Sequence, residues 1–151
     1  MKGYLSLPAD WLRDNPRFTL NIPLKSRFVS PHPYTNQDII ALARGPLVYC
    51  LEDVDNPWVD DHFKSLVLDP AAAISESDAS IPGTGEPYVA LTGQNCASFL
   101  NIDASLAPQL PRGSITEEGD GKFSKIIFVP YALRDNRGGK GHMRVGMRRL
   151  A

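Results

Sequence analysis

The side chains best suited to metal or nucleophile chemistry are His32, His62 and His142, with Cys50 and Cys96. The three histidines are far apart in the chain, and none has a His-x-x-x-His or Cys-x-x-Cys partner. Zinc sites usually show ligands paired at such close spacing. Asp60-Asp61-His62 has the residue types of a metal or acid–base cluster, but it comes after Trp58 and reads as an acidic loop. No serine sits in a Gly-x-Ser-x-Gly elbow. Gly138-Gly139-Lys140-Gly141 lacks the spacing and the Ser/Thr of a phosphate-binding loop. Glycoside hydrolysis needs two carboxylates flanking one bond, roughly 5–10 Å apart. Glu52/Asp53, Glu76/Asp78 and Glu117/Glu118 supply the type, but their placement in loops reads as solvated acid.

The C-terminal stretch carries Arg134, Arg137, Lys140, Arg144, Arg148 and Arg149 against Asp135 alone. It could hold an anion or an acidic sugar, but an exposed strand edge whose cations discourage pairing is the expected reading. Trp11, Trp58, Tyr34 and Tyr131 are the aromatic candidates for stacking on a sugar ring, with core packing as their competing use. With Lys+Arg 16 against Asp+Glu 17 the net charge is -1, which argues against a nucleic-acid-binding or polybasic membrane protein. No apolar run approaches the ~20 residues of a membrane helix. The opening Met1 to Pro8 lacks the apolar stretch of a secretory leader, so a cytoplasmic location is expected. Two cysteines in 151 residues make no disulfide framework. Two buried thiols are the expected state.

The elements that would position these groups are mostly strands. Phe18, Leu20 and Ile22 alternate with Thr19 and Asn21, the pattern of a half-buried strand. Leu24 to Val29 resumes it after Pro23. Asp38 to Ala43 and Leu47 to Leu51 are apolar runs split by Arg44-Gly45-Pro46, which marks a turn or bulge. Further strands are expected at Phe63 to Leu68, Pro87 to Thr92, Ala97 to Ile102 and Phe123 to Tyr131. In the last, His142 to Arg148, Met143, Val145 and Met147 share a face. Ala71-Ala72-Ala73 suits a short helix, and the remainder up to Pro87 a loop. Short strands between Gly- and Pro-rich turns, with no long helical period, predict an all-β, antiparallel, jelly-roll-like β-sandwich.

Two motifs carry a resemblance. Ala43-Arg44-Gly45-Pro46-Leu47-Val48-Tyr49-Cys50-Leu51-Glu52 resembles the RGPLVYCLE segment of the β-L-arabinofuranosidase family, glycoside hydrolase family 127. Val129-Pro130-Tyr131, Asn136-Arg137-Gly138-Gly139 and Met143-Arg144-Val145 resemble its C-terminal PYYxxxNRG…MRV segment, with Ala132 in place of a second Tyr and Arg134 in place of Trp. Gly3-Tyr4-Leu5, Trp11 and Leu20-Asn21-Ile22-Pro23-Leu24 fit the stretch before the first motif. The family's catalytic unit is an N-terminal α/α barrel, with a cysteine nucleophile beside a zinc held by cysteines and a glutamate, followed by two β-sandwich domains.

The resemblance therefore implies residues 1–52 as the C-terminal part of a middle β-sandwich and residues 53–151 as the C-terminal β-sandwich. It implies a non-catalytic module that supports the parent's barrel, with no catalytic residue, metal or cofactor of its own. Residues Gly3 to Glu52 would then lack strand partners, an edge that rearrangement or dimerisation would close. Cys50 belongs to the strand motif and not to the nucleophile, and its apolar neighbours Val48 and Leu51 would raise its pKa. The competing expectations are a carbohydrate-binding module using Tyr131, Asn136 and Arg137, and a truncated product without activity. Neither a nucleic acid nor a membrane is an expected partner.

Overall fold

A computed structural model describes residues 4–58, 62–99, 125–134 and 137–150. Among these the regular secondary structure is nearly all strand. The elements are a six-residue helix α1 (Ala9–Asp14) and strands β1 (Ser26–Val29), β2 (Ile39–Arg44), β3 (Leu47–Glu52), β4 (Leu66–Leu68), β5 (Ile74–Ser80), β6 (Pro87–Gly93), β7 (Ala97–Phe99), β8 (Ile126–Pro130), β9 (Met143–Arg144) and β10 (Met147–Arg149). The strands run in the order β5-β6-β8-β3-β2-β10-β4-β7, with β1 on β2 and β9 on β3. This all-β array agrees with the sandwich expected from the sequence.

The β2–β3 hairpin joins the two ends of that array. Gly45 occupies the first loop position at φ +54°, which a two-residue hairpin of this hand requires, and Pro46 fixes the next φ. The side chain of Leu24 packs over Gly45, so a Cβ there would stand 2.6 Å from Leu24 Cδ2. Both strands change partner along their length. Ile39 and Ile40 pair with β10, whereas Ala43 and Arg44 pair with β3. Tyr49, Cys50 and Leu51 then pair with β8. Strands that switch partners in this way make the corners of a sandwich.

Alternation explains which side chains fill the interior. Residues two apart on a strand share a face. The core accordingly takes Ile40 and Leu42, Tyr49 and Leu51, Leu66 and Leu68, and Ile126 and Phe128, joined by Phe63, Leu91 and Met147. Residues on both sides of residue 52 thus share one cluster. The Tyr49 ring is fully buried, and its hydroxyl donates to the Val89 carbonyl at 2.9 Å, which satisfies its polar end.

Several expectations need correction. The pairing of β10 with β4 is parallel, through Arg148↔Val67 and Arg149↔Leu68. Parallel neighbours need a long connection, and residues 69–146 supply it. The run 142–148 is two strands, because Val145-Gly146 breaks it. β9 goes to β3, and β10 to β2 and β4. Residues 74–80 are a full strand rather than a loop, paired with β6 from Ile74↔Gly93 to Ser80↔Pro87. Its Ser, Glu and Asp have low strand preference, so the pairing with β6 decides. Ala71 to Ala73 form a turn held by Asp69, whose Oδ1 accepts from Ala71 N at 2.8 Å.

From Ser26 onward the segment expected to lack partners has them, in β1, β2 and β3. Residues 17–22 join no strand, and Phe18, Leu20 and Ile22 are exposed by 53%, 59% and 65%. The alternation is real there, but among the described residues no sheet receives it. Just before it, α1 follows Pro8, whose carbonyl accepts from Leu12 N at 3.1 Å. The expected strand residues Leu100 to Ile102 and Phe123, and the turn-rich 108–121, lie outside the described residues.

Gly93 is expected to tolerate no side chain. A methyl there would fall inside the contact radius of Cys96 Sγ. Gly93→Ala should cost about 1–3 kcal/mol of stability, read as a lower urea midpoint at unchanged m-value.

Candidate functional site

The polar interior is concentrated where β3 ends. Glu52 and Asp53 are buried, 4% and 7% exposed, and Asp55 follows in the turn. The chain returns to this point 82 to 87 residues later with the glycine-rich loop 137–142. Gly139 adopts φ +96° and passes so close to Asp53 that a Cβ would stand 2.8 Å from its Oδ1. Only glycine meets both conditions without strain.

Arg137 is the hub of this region. Its side chain is 4% exposed. Nη1 and Nη2 donate to Asp55 Oδ1 and Oδ2 at 3.0 and 2.5 Å, a bidentate pair. Nη2 also donates to Glu52 Oε2, and Nη1 reaches the Tyr88 hydroxyl at 3.4 Å. The guanidinium lies 6.0 Å from the Tyr88 ring centre. Burial works against the Arg137 charge, but the hydrogen bonds to Asp55 and Glu52 outweigh it and hold the pKa above its ordinary value. A raised pKa favours the folded state throughout the pH range below that ordinary value, so the cation persists at every working pH.

Two further clasps bind the same loop. Asp53 Oδ2 accepts from Lys140 N at 2.6 Å, and Asp53 N donates to the His142 carbonyl at 3.0 Å. Asn56, 1% exposed, imitates a strand neighbour for β8. Its side-chain nitrogen donates to the Ile127 carbonyl at 2.9 Å, and its oxygen accepts from Ile127 N at 3.1 Å. Sequence reasoning passed over Asp55, Asn56 and Tyr88. The one local signal was the density of acid after the apolar run of β3.

The expected sugar-contact residues divide. Tyr131 is 43% exposed in the turn after β8, and its hydroxyl accepts from Arg134 Nη1 at 3.4 Å. Arg137 is instead directed into the interior and occupied by carboxylates. Asn136 lies outside the described residues. Of the expected aromatic platforms, Trp58 packs edge-on against Phe63 at 6.0 Å and belongs to the core margin. His32 caps a turn, accepting from Tyr34 N at 3.2 Å. His62 and His142 come together, with ring centroids 3.8 Å apart. Asp60 and Asp61 lie outside the described residues.

Both thiols are free and buried. Burial, then the charge of Glu52, raises Cys50 from 9.0 to about 12. Burial is also the main cause for Cys96, raised to about 11. Neither is a thiolate near neutral pH, so neither has the activation that a nucleophile requires. A cleft of about 120 Å³ beside Cys96 includes Asp69, Asn95 and Ser98 in its lining. It is well below the roughly 300–1,000 Å³ of sites for drug-sized ligands.

Fold and site together define a β-sandwich domain whose buried charges brace its own loops. A family model described as the glycoside hydrolase family 127 C-terminal domain matches residues 26–148, and the chain belongs to that family. Three solved structures are similar. One is titled a glycoside hydrolase, with TM-score 0.62 and 24% identity over 85% of this chain and 20% of its own. Another is a family 127 β-L-arabinofuranosidase from Geobacillus stearothermophilus T6, with TM-score 0.60 and 29% identity over 84% and 18%. The third is the family 127 β-arabinofuranosidase BT3674, with TM-score 0.57 and 24% identity over 85% and 17%. The chain thus spans about a fifth of the length of these solved relatives. No curated protein matches it.

Removing Arg137 would leave Glu52 and Asp55 buried without their cation. Arg137→Ala is expected to cost about 3–5 kcal/mol, and Arg137→Lys to recover part of that without the bidentate geometry. Chemical denaturation of the three proteins reads the order. The thiols make a separate prediction. Because their folded pKa values are raised, their contribution is complete below pH 9.0 and falls as pH climbs towards about 11 and 12. A thiol reagent at pH 8 should label neither cysteine until denaturant is added, and melting temperature should decline above pH 9.

Proposed function

We propose that this chain is a non-catalytic β-sandwich module of a β-L-arabinofuranosidase-like glycoside hydrolase, which braces a catalytic barrel supplied by the rest of a longer protein. The coincidence of two boundaries carries the reading. The family match begins at residue 26, where β1 begins, and ends at 148, within β10. The folded strand array and the C-terminal domain of the family are therefore the same object.

The chemistry of the interior supports a bracing role. Glycosidase carboxylates must present oxygens to a glycosidic bond and to a water or sugar carbon. Glu52 and Asp55 instead share one buried guanidinium, and Asp53 is engaged by a backbone N–H. The burial of Arg137 likewise argues against a sugar groove built from Tyr131, Asn136 and Arg137.

Residues 4–25 precede the family match and expose Tyr4, Leu5, Phe18, Leu20 and Ile22. That concentration of apolar surface supports their assignment to a neighbouring sandwich domain of the longer protein. The purified 151-residue chain is expected to release no aglycone from an aryl β-L-arabinofuranoside above a buffer blank. Hydrolysis that scales with protein concentration would sink the non-catalytic reading.

A further inference from the structure

Residues 17–22 run from Arg17 to Ile22 between Pro16 and Pro23. Every residue from 16 to 24 is exposed. Among the described residues, none of 17–22 joins a strand pair or makes a backbone hydrogen bond. We propose that two copies of this chain pair through this segment, as antiparallel strands about a two-fold axis at Leu20.

The segment is self-complementary in that register. Directly opposite residues of an antiparallel pair share one face. With Leu20 opposite Leu20, Phe18 meets Ile22 and Thr19 meets Asn21. All the apolar side chains of both copies then lie on one side of the ribbon, and the polar ones on the other. A slip of one residue sets apolar against polar throughout. A slip of two sets Ile22 against Pro16 in one direction, and Arg17 against Lys25, a like charge, in the other. Arg17 is the one charged residue from 16 to 24 and falls opposite Pro23, so the favoured register brings no like charges together.

A two-stranded ribbon is marginal alone and needs a helix or further strand against its apolar face. Helix α1 is at hand: Trp11 packs edge-on against Phe18, with ring centroids 5.7 Å apart. Seven apolar side chains of residues 4–22 stand 40–80% exposed. At about 150–250 Å² for a whole aromatic, and less for an aliphatic, they offer on the order of 600 Å² per copy, so two copies reach the ~1,200 Å² at which specific interfaces begin. A neighbouring sandwich would take up this strand in a longer protein, whereas the chain standing alone leaves it to a second copy. The pairing is separate from the bracing role, and failure of either leaves the other standing.

Sedimentation equilibrium of the full 151-residue chain tests the pairing. A closed monomer–dimer equilibrium is expected at micromolar concentration. Leu20→Lys, a change at an exposed position, is expected to weaken the dimer about tenfold or more. Tyr34→Lys, at a site 93% exposed and outside the segment, is expected to leave it unchanged. The register has its own readout. Opposite residues have Cα atoms about 4.5–5.5 Å apart, within disulfide reach, so Leu20→Cys should cross-link two chains under mild oxidation. Phe18→Cys should not, because four residues of offset hold its two copies about 13 Å apart. The native thiols are buried and do not compete. A chain that stays monomeric at millimolar concentration overturns the proposal. So does open-ended assembly, a dimer that survives Leu20→Lys, a dimer lost equally in Tyr34→Lys, or cross-linking as strong through Phe18→Cys as through Leu20→Cys.

Discussion

The buried guanidinium of Arg137 is what the polar half of this domain depends on. An isolated charge in a protein interior is prohibitively costly, and here carboxylates meet both Nη groups, while Nε finds no hydrogen-bond partner among the described residues. Glu52 and Asp55 answer Arg137 from one segment, and the loop that carries Arg137 must then pass over β3. Gly139 permits that passage, and Asp53 gathers the next amide, so the loop is tied at three successive points. β9 follows in register with β3 because the loop delivers Met143 opposite Glu52. Removing one partner of such a buried pair is costly because the other charge is then left uncompensated.

The apolar half obeys a different constraint. β2 and β3 form a single hairpin but answer to partners on both sides of the sandwich. Tyr49 shows the compromise. It lies in the core by the parity of β3, and it is long enough for its hydroxyl to reach the Val89 carbonyl of β6, beyond the intervening β8. The bracing role proposed for the module agrees with this economy, since its polar side chains are spent on internal closure.

Much of this was legible from residue order. The runs around Gly45-Pro46, the apolar stretch of β8 and the absence of helical period depend on local pattern, and they emerged as strands. What failed was whatever depended on a partner. β5 is polar and becomes a strand because β6 lies beside it, whereas Phe18, Leu20 and Ile22 alternate correctly and pair with nothing among the described residues. The candidate site follows the same rule. Arg137 stood out as part of a basic segment, but its commitment to Glu52 and Asp55 is a long-range fact. The approach of His62 to His142 is equally invisible in spacing. Asn56 gave no signal, because an asparagine that stands in for backbone looks like any turn asparagine.

The position of β10 bears on how the domain is made. Met147 and Arg148 close against Ile40 and Ile39, and Arg148 and Arg149 run alongside β4. The first half of β2 therefore waits for the last strand before its neighbour exists. During synthesis, which proceeds at about 5–20 residues per second, the nascent domain holds β2 and β4 unjoined until β10 leaves the ribosome. Such distant pairings carry a large loop-closure cost before they return any contact energy, so late and slow closure is built into the topology. Loss of β10 would then act as a failure to finish folding, far beyond the small surface those residues occupy.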